Sequence, residues 1–128
     1  MMPLRRRRGQ AAYASGLAAE DAACAALIND GWIIHARRLR TKAGEVDAVA
    51  EKAGVLSIIE IKSRPSLAEA AIALTARQQS RLAVSCEIIL AEHPEWGSGG
   101  VRFDVVVVNP AGQMRRIADA FRPGDPIS

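Results

Sequence analysis

Apolar residues between Gln10 and Asn29 recur at helical spacing: Tyr13, Leu17, Cys24, Leu27 and Ile28 fall on one side, and Gly31 follows as a natural stop. Three extended runs come next, Trp32 to Leu39, Glu45 to Glu51 and Val55 to Lys62. Their connections, Thr41-Lys42-Ala43-Gly44 and Lys52-Ala53-Gly54, have hairpin length. Pro65 and Ser66 break the pattern, and the Ala/Leu-rich stretch from Leu67 to about Glu92 predicts one or two helices ending before Pro94. Phe103 to Val108 is a continuous β-branched run, as expected of a strand covered on both faces, and Met114 to Ala118 predicts a last short strand. The order αβββαββ predicts an α/β sandwich with a mixed central sheet, not a doubly wound chain.

Acidic residues interrupt this pattern at informative places. Glu20 lies three residues after Leu17 and four before Cys24, on the core side of the first helix, whereas Asp21 beside it reaches water. A buried carboxylate needs a partner or a metal, so Glu20 is either a site residue or an edge position reaching solvent. Period-two alternation puts Glu45 and Asp47 on one face of the second run and Val46, Ala48 and Ala50 on the other. In the third run Ile58, Glu60 and Lys62 share a face. If these strands pair, Asp47 and Glu60 converge at the end of the sheet, and with Glu45 they form a cluster of hard oxygen ligands. Such a cluster suits Mg²⁺ or Mn²⁺, with waters and a substrate phosphate completing the coordination shell. Lys62 would orient water or offset charge on the phosphate. The structural alternative is a cross-strand ion pair of Lys62 with Asp47 or Glu45.

Composition sets the bounds. The chain of 128 residues, 49% hydrophobic and 24% charged, fits one soluble domain, assigned to residues 10–122 between a basic flexible tail at 1–9 and a C-terminal tail at 123–128. Its longest uncharged stretch, Gly9 to Ala19, has 11 residues and is too short to span a bilayer. Glu20 and Asp21 likewise exclude the apolar segment that a secretion signal requires after Arg5-Arg6-Arg7-Arg8. Cys24 and Cys86 show neither disulfide nor zinc spacing, which suits a reducing, cytoplasmic setting. The net charge of +3 resides in the four-arginine run, either a non-specific phosphate contact or a solvated terminus.

Asp47 followed by Glu60-Ile61-Lys62 resembles the PD-(D/E)xK signature of restriction-endonuclease-like nucleases. Gly31-Trp32, Gly44-Glu45-Val46-Asp47, Ile59-Glu60-Ile61-Lys62-Ser63-Arg64, Arg81-Leu82 and Arg102-Phe103-Asp104-Val105-Val106, with Glu20 upstream, together resemble the YraN family over about Gln10 to Phe121. That family has a core similar to that of archaeal Holliday-junction resolvases. The resemblance implies a restriction-endonuclease-like αβββαβ sandwich and a metal-dependent phosphodiesterase acting on DNA. It implies Asp47 and Glu60 as metal ligands, Lys62 as catalytic lysine and Glu20 as an additional helix acid, with a less defined role for Glu45. Where YraN relatives commonly carry a lysine in the later helix, this chain reads Arg77-Gln78-Gln79-Ser80-Arg81, with Gln78 near the apolar side that holds Leu74, Leu82 and Ile89.

Arg37, Arg38, Arg40, Arg64 and Arg81 are candidates for a phosphate-gripping rim, joined by Gln78; the alternative for each arginine alone, and the one that compositional bias toward arginine favours, is an ordinary solvated surface residue. Asp104 beside Arg102 is read as support for the sheet end or as a structural pair. His35 and His93 lack ligand spacing, Trp32 is assigned to the core, and the Gly97-Ser98-Gly99-Gly100 loop to a flexible turn. The functional expectation is a Mg²⁺- or Mn²⁺-dependent endonuclease acting on branched or damaged DNA. The alternative is a nucleic-acid-binding module of the same fold that does not cut. Two sites facing two strands would suit a homodimer, with the last strand or the Trp96 loop as its interface.

Overall fold

The computed structural model describes residues 4–68 and 74–124, with side chains from residue 16 onward. Helix α1 (Leu4–Asn29) precedes strands β1 (Ile33–Thr41), β2 (Gly44–Lys52) and β3 (Val55–Ser63); helix α2 (Ala76–Glu92) then leads to β4 (Gly100–Val108) and β5 (Met114–Phe121). The strands lie in sequence order in one sheet, antiparallel except for β3 and β4, which run parallel and are connected through α2. This is the expected mixed α/β sandwich, and it accommodates a restriction-endonuclease-like fold. The backbone of α1 begins at Leu4 rather than near Gln10, so the arginine run forms its first turns. Arginine is a good helix former, and no proline separates the run from the alanines. Of the one or two helices expected from Leu67 onward, a 3-10 turn stands at Leu67 and Ala68 and α2 begins at Ala76, with residues 69–73 outside the described ones, as is the side chain of Tyr13.

Local chemistry explains the boundaries. α1 ends in a Schellman turn: Trp32 N–H donates to the Leu27 carbonyl and Gly31 N–H to that of Ile28, both at 3.0 Å, with Gly31 at φ +92°. The β2–β3 hairpin closes through Ala53 and Gly54, both at positive φ (51° and 79°), as a two-residue turn matched to strand twist requires. α2 opens with a capping box: Thr75 Oγ1 accepts from Gln78 N–H at 3.1 Å, and the Gln78 side chain accepts from Thr75 N–H at 2.9 Å. Thr75→Ala is expected to lower stability by about 1 kcal/mol in urea denaturation, since the first turn of α2 loses its side-chain acceptor.

Each helix covers one face of the sheet. Ala19, Ala23, Cys24 and Leu27 of α1 pack on Trp32, Ala48, Ala50, Ile59, Val106 and Val108. On the other face Leu82, Cys86 and Ile89 of α2 meet Val46, Val49, Leu56, Ile58, Phe103, Val105 and Val107. The buried stripe of α1 is thus centred on alanines rather than on the larger side chains, and Ile28, expected inside, is 59% exposed. Small residues let α1 lie close over Ala48 and Ala50, which a pattern weighted to bulky residues misplaces.

The alternation expected for β2 also breaks. Val46 and Val49 face α2 while Ala48 and Ala50 face α1, so the strand turns over at Asp47. The partner strand compensates: between the rungs Arg37–Ala48 and Leu39–Val46 sits Arg38, with φ +50°. A left-handed arginine inside a strand is strained by roughly 1 kcal/mol or more.

Candidate functional site

The β2–β3 ladder holds from Lys52–Val55 to Ala48–Ile59 and then stops. Just beyond, the Asp47 carboxylate fills the gap, its Oδ2 accepting Ile61 N–H at 2.7 Å. A side-chain oxygen stands in for a strand carbonyl, which pins Asp47 against the β3 backbone beside Glu60. Glu60 follows Ile58 at the period of two and faces α2, where its side chain is 13% exposed and pairs with Arg81 Nη2. Lys62 lies two residues further along the same face, half-buried, with no hydrogen bond or ion pair among the described residues.

Burial, and next the charge of Asp47, push the Glu60 carboxyl up from 4.5 to about 7, against the opposing pull of Arg81 and Lys62. Between these two values the folded chain holds a proton that the unfolded chain releases. Stability therefore falls as pH rises through that window. Urea denaturation across it is expected to show a loss on the order of 1–3 kcal/mol that Glu60→Gln lacks.

The other expected acids do not join this pair. Glu20 Oε2 accepts from Arg38 Nε at 2.7 Å and lies 4.0 Å from Arg37 Nη2, so the helix acid is neutralised by β1. Its connection to the pair is indirect, through Arg38, which faces Asp47 across the β1–β2 ladder. Glu45, 40% exposed, sits opposite Arg40 at 3.6 Å, on the hairpin rim. Among the described residues no group of three or more Asp, Glu, His or Cys side chains converges on one point. The three-carboxylate cluster thus reduces to Asp47 and Glu60, because the turnover at Asp47 separates it from the face of Glu45.

The arginine rim is largely occupied by internal partners. Arg37 Nη2 pairs at 2.6 Å with Asp21, which reaches water as expected, its side chain 70% exposed. Arg38 and Arg40 pair as above, and Arg64 Nη1 donates to the Ser63 carbonyl at 2.7 Å. Arg40 is the most open, at 88% exposure. Gln78 does not project toward the acids, since its amide is committed to the cap of α2.

A second charged cluster lies inside the sheet. Fully buried Asp104 accepts from Ser57 Oγ, from Arg102 Nε at 3.0 Å, from Arg116 Nη2 at 2.7 Å and from Asp119 N–H at 2.8 Å. Burial alone would raise the Asp104 carboxyl, but these donors outweigh it and hold it below its ordinary value. The guanidinium carbons of Arg102 and Arg116 lie 5.1 and 4.5 Å from the centre of the Trp32 ring. Only Arg102 was visible as a partner from sequence; the polar Ser57 inside an apolar strand was the overlooked signal. Trp32 is buried as expected, and Trp96 is sandwiched between the rings of His35 and His93 at 4.3 and 3.7 Å.

The donor set fits a hard divalent cation of the Mg²⁺ type, which commonly takes one or two carboxylates and leaves its other positions to water and phosphate. Asp47 is fixed by a backbone donor, and Glu60 is a partly buried carboxylate paired with Arg81. Cys24 and Cys86 are free and buried, and no helix among the described residues is long and apolar enough to cross a membrane.

Comparison with known proteins gives a consistent assignment. The family model described as "Uncharacterised protein family UPF0102" matches residues 19–108, which includes Glu20, Asp47, Glu60, Lys62, Arg81 and Asp104. A UPF0102 protein of Granulibacter bethesdensis is 57% identical over 115 residues, covering 90% of this chain and 73% of the relative. Another from Azorhizobium caulinodans is 47% identical over 116 residues, covering 91% and 88%. A third, from Rhodopseudomonas palustris, is 39% identical over 111 residues, covering 87% and 85%. The chain belongs to the uncharacterised protein family UPF0102, which is the YraN family that its motifs resemble.

Proposed function

We propose that this chain is a Mg²⁺- or Mn²⁺-dependent endonuclease that hydrolyses phosphodiester bonds in DNA, with branched or damaged DNA as its substrate. The observation that carries this reading is the juxtaposition of Asp47 and Glu60 where β2 and β3 part, with Lys62 on the face of Glu60. Asp47 and Glu60 would hold the cation, which when bound polarises a phosphoryl oxygen and lowers the pKa of water. Asp47 is held in place by Ile61 N–H, so its carboxylate is oriented before any ligand arrives. Lys62 places a positive charge next to the pair, suited to orienting water or offsetting charge that develops on the phosphate. Arg40, the most open arginine of the rim, is the first candidate to grip the DNA backbone.

Labelled linear, nicked, flapped and four-way-junction DNA, incubated with Mg²⁺ or Mn²⁺, tests the reading. Cutting that requires the metal and disappears in Asp47→Ala and Lys62→Ala supports it. A second reading, a nucleic-acid-binding module that does not cut, is favoured by the pairing of Glu20, Glu45 and Glu60 with arginines. It takes over if the native protein and both variants are equally inert but bind the same DNA with the same salt dependence. In this reading the protein acts in the cytoplasm, a setting that two cysteines without disulfide spacing suit, and a homodimer would present two sites to two strands.

A further inference from the structure

A cation already compensates the acidic pair: the guanidinium of Arg81 sits on Glu60. Its engagement is incomplete. Nη2 meets the carboxylate, whereas Nε is buried with no hydrogen-bond partner among the described residues. A full two-point fork would satisfy both donors, so the arginine is held by the charge of Glu60 without complete hydrogen bonding. The hairpin between β1 and β2 is shaped around its stem. Gly44 has φ +140°, and a Cβ there would stand 2.6 Å from Arg81 Cδ and 2.8 Å from Cγ. Thr41 Oγ1 and Ser85 Oγ, 3.0 Å apart, tie that hairpin to α2 one turn beyond Arg81. Hairpin, helix and arginine thus form one unit that delivers a positive charge to Glu60. The side chain remains 32% exposed, which leaves it a route to solvent.

We propose that Arg81 is a built-in counter-cation of the Asp47–Glu60 pair, which a divalent metal ion must displace from Glu60. Arg81 is then a positioning residue that keeps the pair compact without metal and sets the threshold for loading it. The inference rests on the reading of Asp47 and Glu60 as a metal centre. Arg81 Nη2 engages one Glu60 oxygen, Oε2, and neutralises the charge that a metal ion would also be drawn to, so removing the arginine removes an electrostatic competitor.

Mn²⁺ binding, followed by calorimetry on the native protein, Arg81→Met, Arg81→Gln and Asp47→Asn, separates the possibilities. Both Arg81 variants are expected to bind Mn²⁺ at least about tenfold more tightly than the native chain. They are also expected to melt at lower temperature in chelator and to regain that loss when Mn²⁺ is added. Asp47→Asn loses the binding. Unchanged or weaker Mn²⁺ affinity in the Arg81 variants, with native binding intact, overturns the inference and leaves the metal centre standing. No Mn²⁺ binding by the native chain or by either Arg81 variant overturns both. Arg81→Gln retains a polar group and keeps the test open if Arg81→Met does not fold.

Discussion

Asp47→Ala is expected to lower metal-dependent DNA cleavage by roughly a thousandfold or more, and Lys62→Ala by about a hundred- to a thousandfold. Asp47 serves twice, as an oxygen donor to the cation and as the acceptor that closes the β3 ladder at Ile61. Alanine removes both functions, so loss of activity in that variant alone does not separate ligand from scaffold. Asp47→Asn does. Its amide oxygen still accepts Ile61 N–H while the charge is gone, and stability is expected to stay within about 1 kcal/mol of native. Full loss of cleavage in this well-folded variant assigns the charge to chemistry. Native-level cutting by Asp47→Asn would exclude Asp47 as a metal ligand. For Lys62 the readout is simpler, since it supports no hydrogen bond among the described residues and its removal should leave the melting temperature nearly unchanged.

Asp104→Ala is expected to be the most damaging change for the fold, costing on the order of 3–5 kcal/mol in urea denaturation. The carboxylate is fully buried and receives four donors, from Ser57, Arg102, Arg116 and the Asp119 backbone. Truncation leaves two guanidinium groups without their counter-charge beside Trp32. Since whole domains are stable by only about 5–15 kcal/mol, the variant should be marginally folded at best. Asp104→Asn keeps the shape and part of the hydrogen bonding and should lose less. The sign of the pH dependence follows from the lowered folded-state pKa. The contribution of Asp104 is complete above the ordinary aspartate range and is lost as pH falls through the lower folded value. An Asp104→Ala variant as stable as the native chain would show that the cluster contributes nothing net.

These two acids also mark how far local pattern reaches. Glu60 and Lys62 were legible because alternation in β3 is regular and Ile58 and Leu56 before them face the same layer. The convergence of Asp47 with Glu60 followed from a short turn between two runs of matching length. Alternation misleads close by: extended through Asp47 it puts Glu45 on the same face, whereas the strand turns over there, with Val46 toward α2 and Ala48 toward α1. That turnover lies level with Arg38, whose left-handed conformation in the neighbouring strand no spacing rule within β2 contains. Gln78 was misplaced for a different reason. A glutamine three residues after a threonine is as much a capping signal as a site residue, and the cap claimed it.

By itself the sequence determined the order of elements, the mixed sheet, the two hairpins and the three residues that stand at the end of β3 and in β2. These depend on periodicity, turn residues and breakers, whose effects act over a few positions. The tertiary structure alone decided which arginine meets which acid: Arg38 with Glu20 across 18 positions, Arg81 with Glu60 across 21, and Arg116 with Asp104 across 12. Charges attract without directional preference, and 14 arginines offer many equivalent partners along the chain. Only the packing of α1 and α2 on opposite faces of the sheet brings particular ones within reach, and so leaves Asp47 and Glu60 together while Glu20 and Glu45 are drawn away.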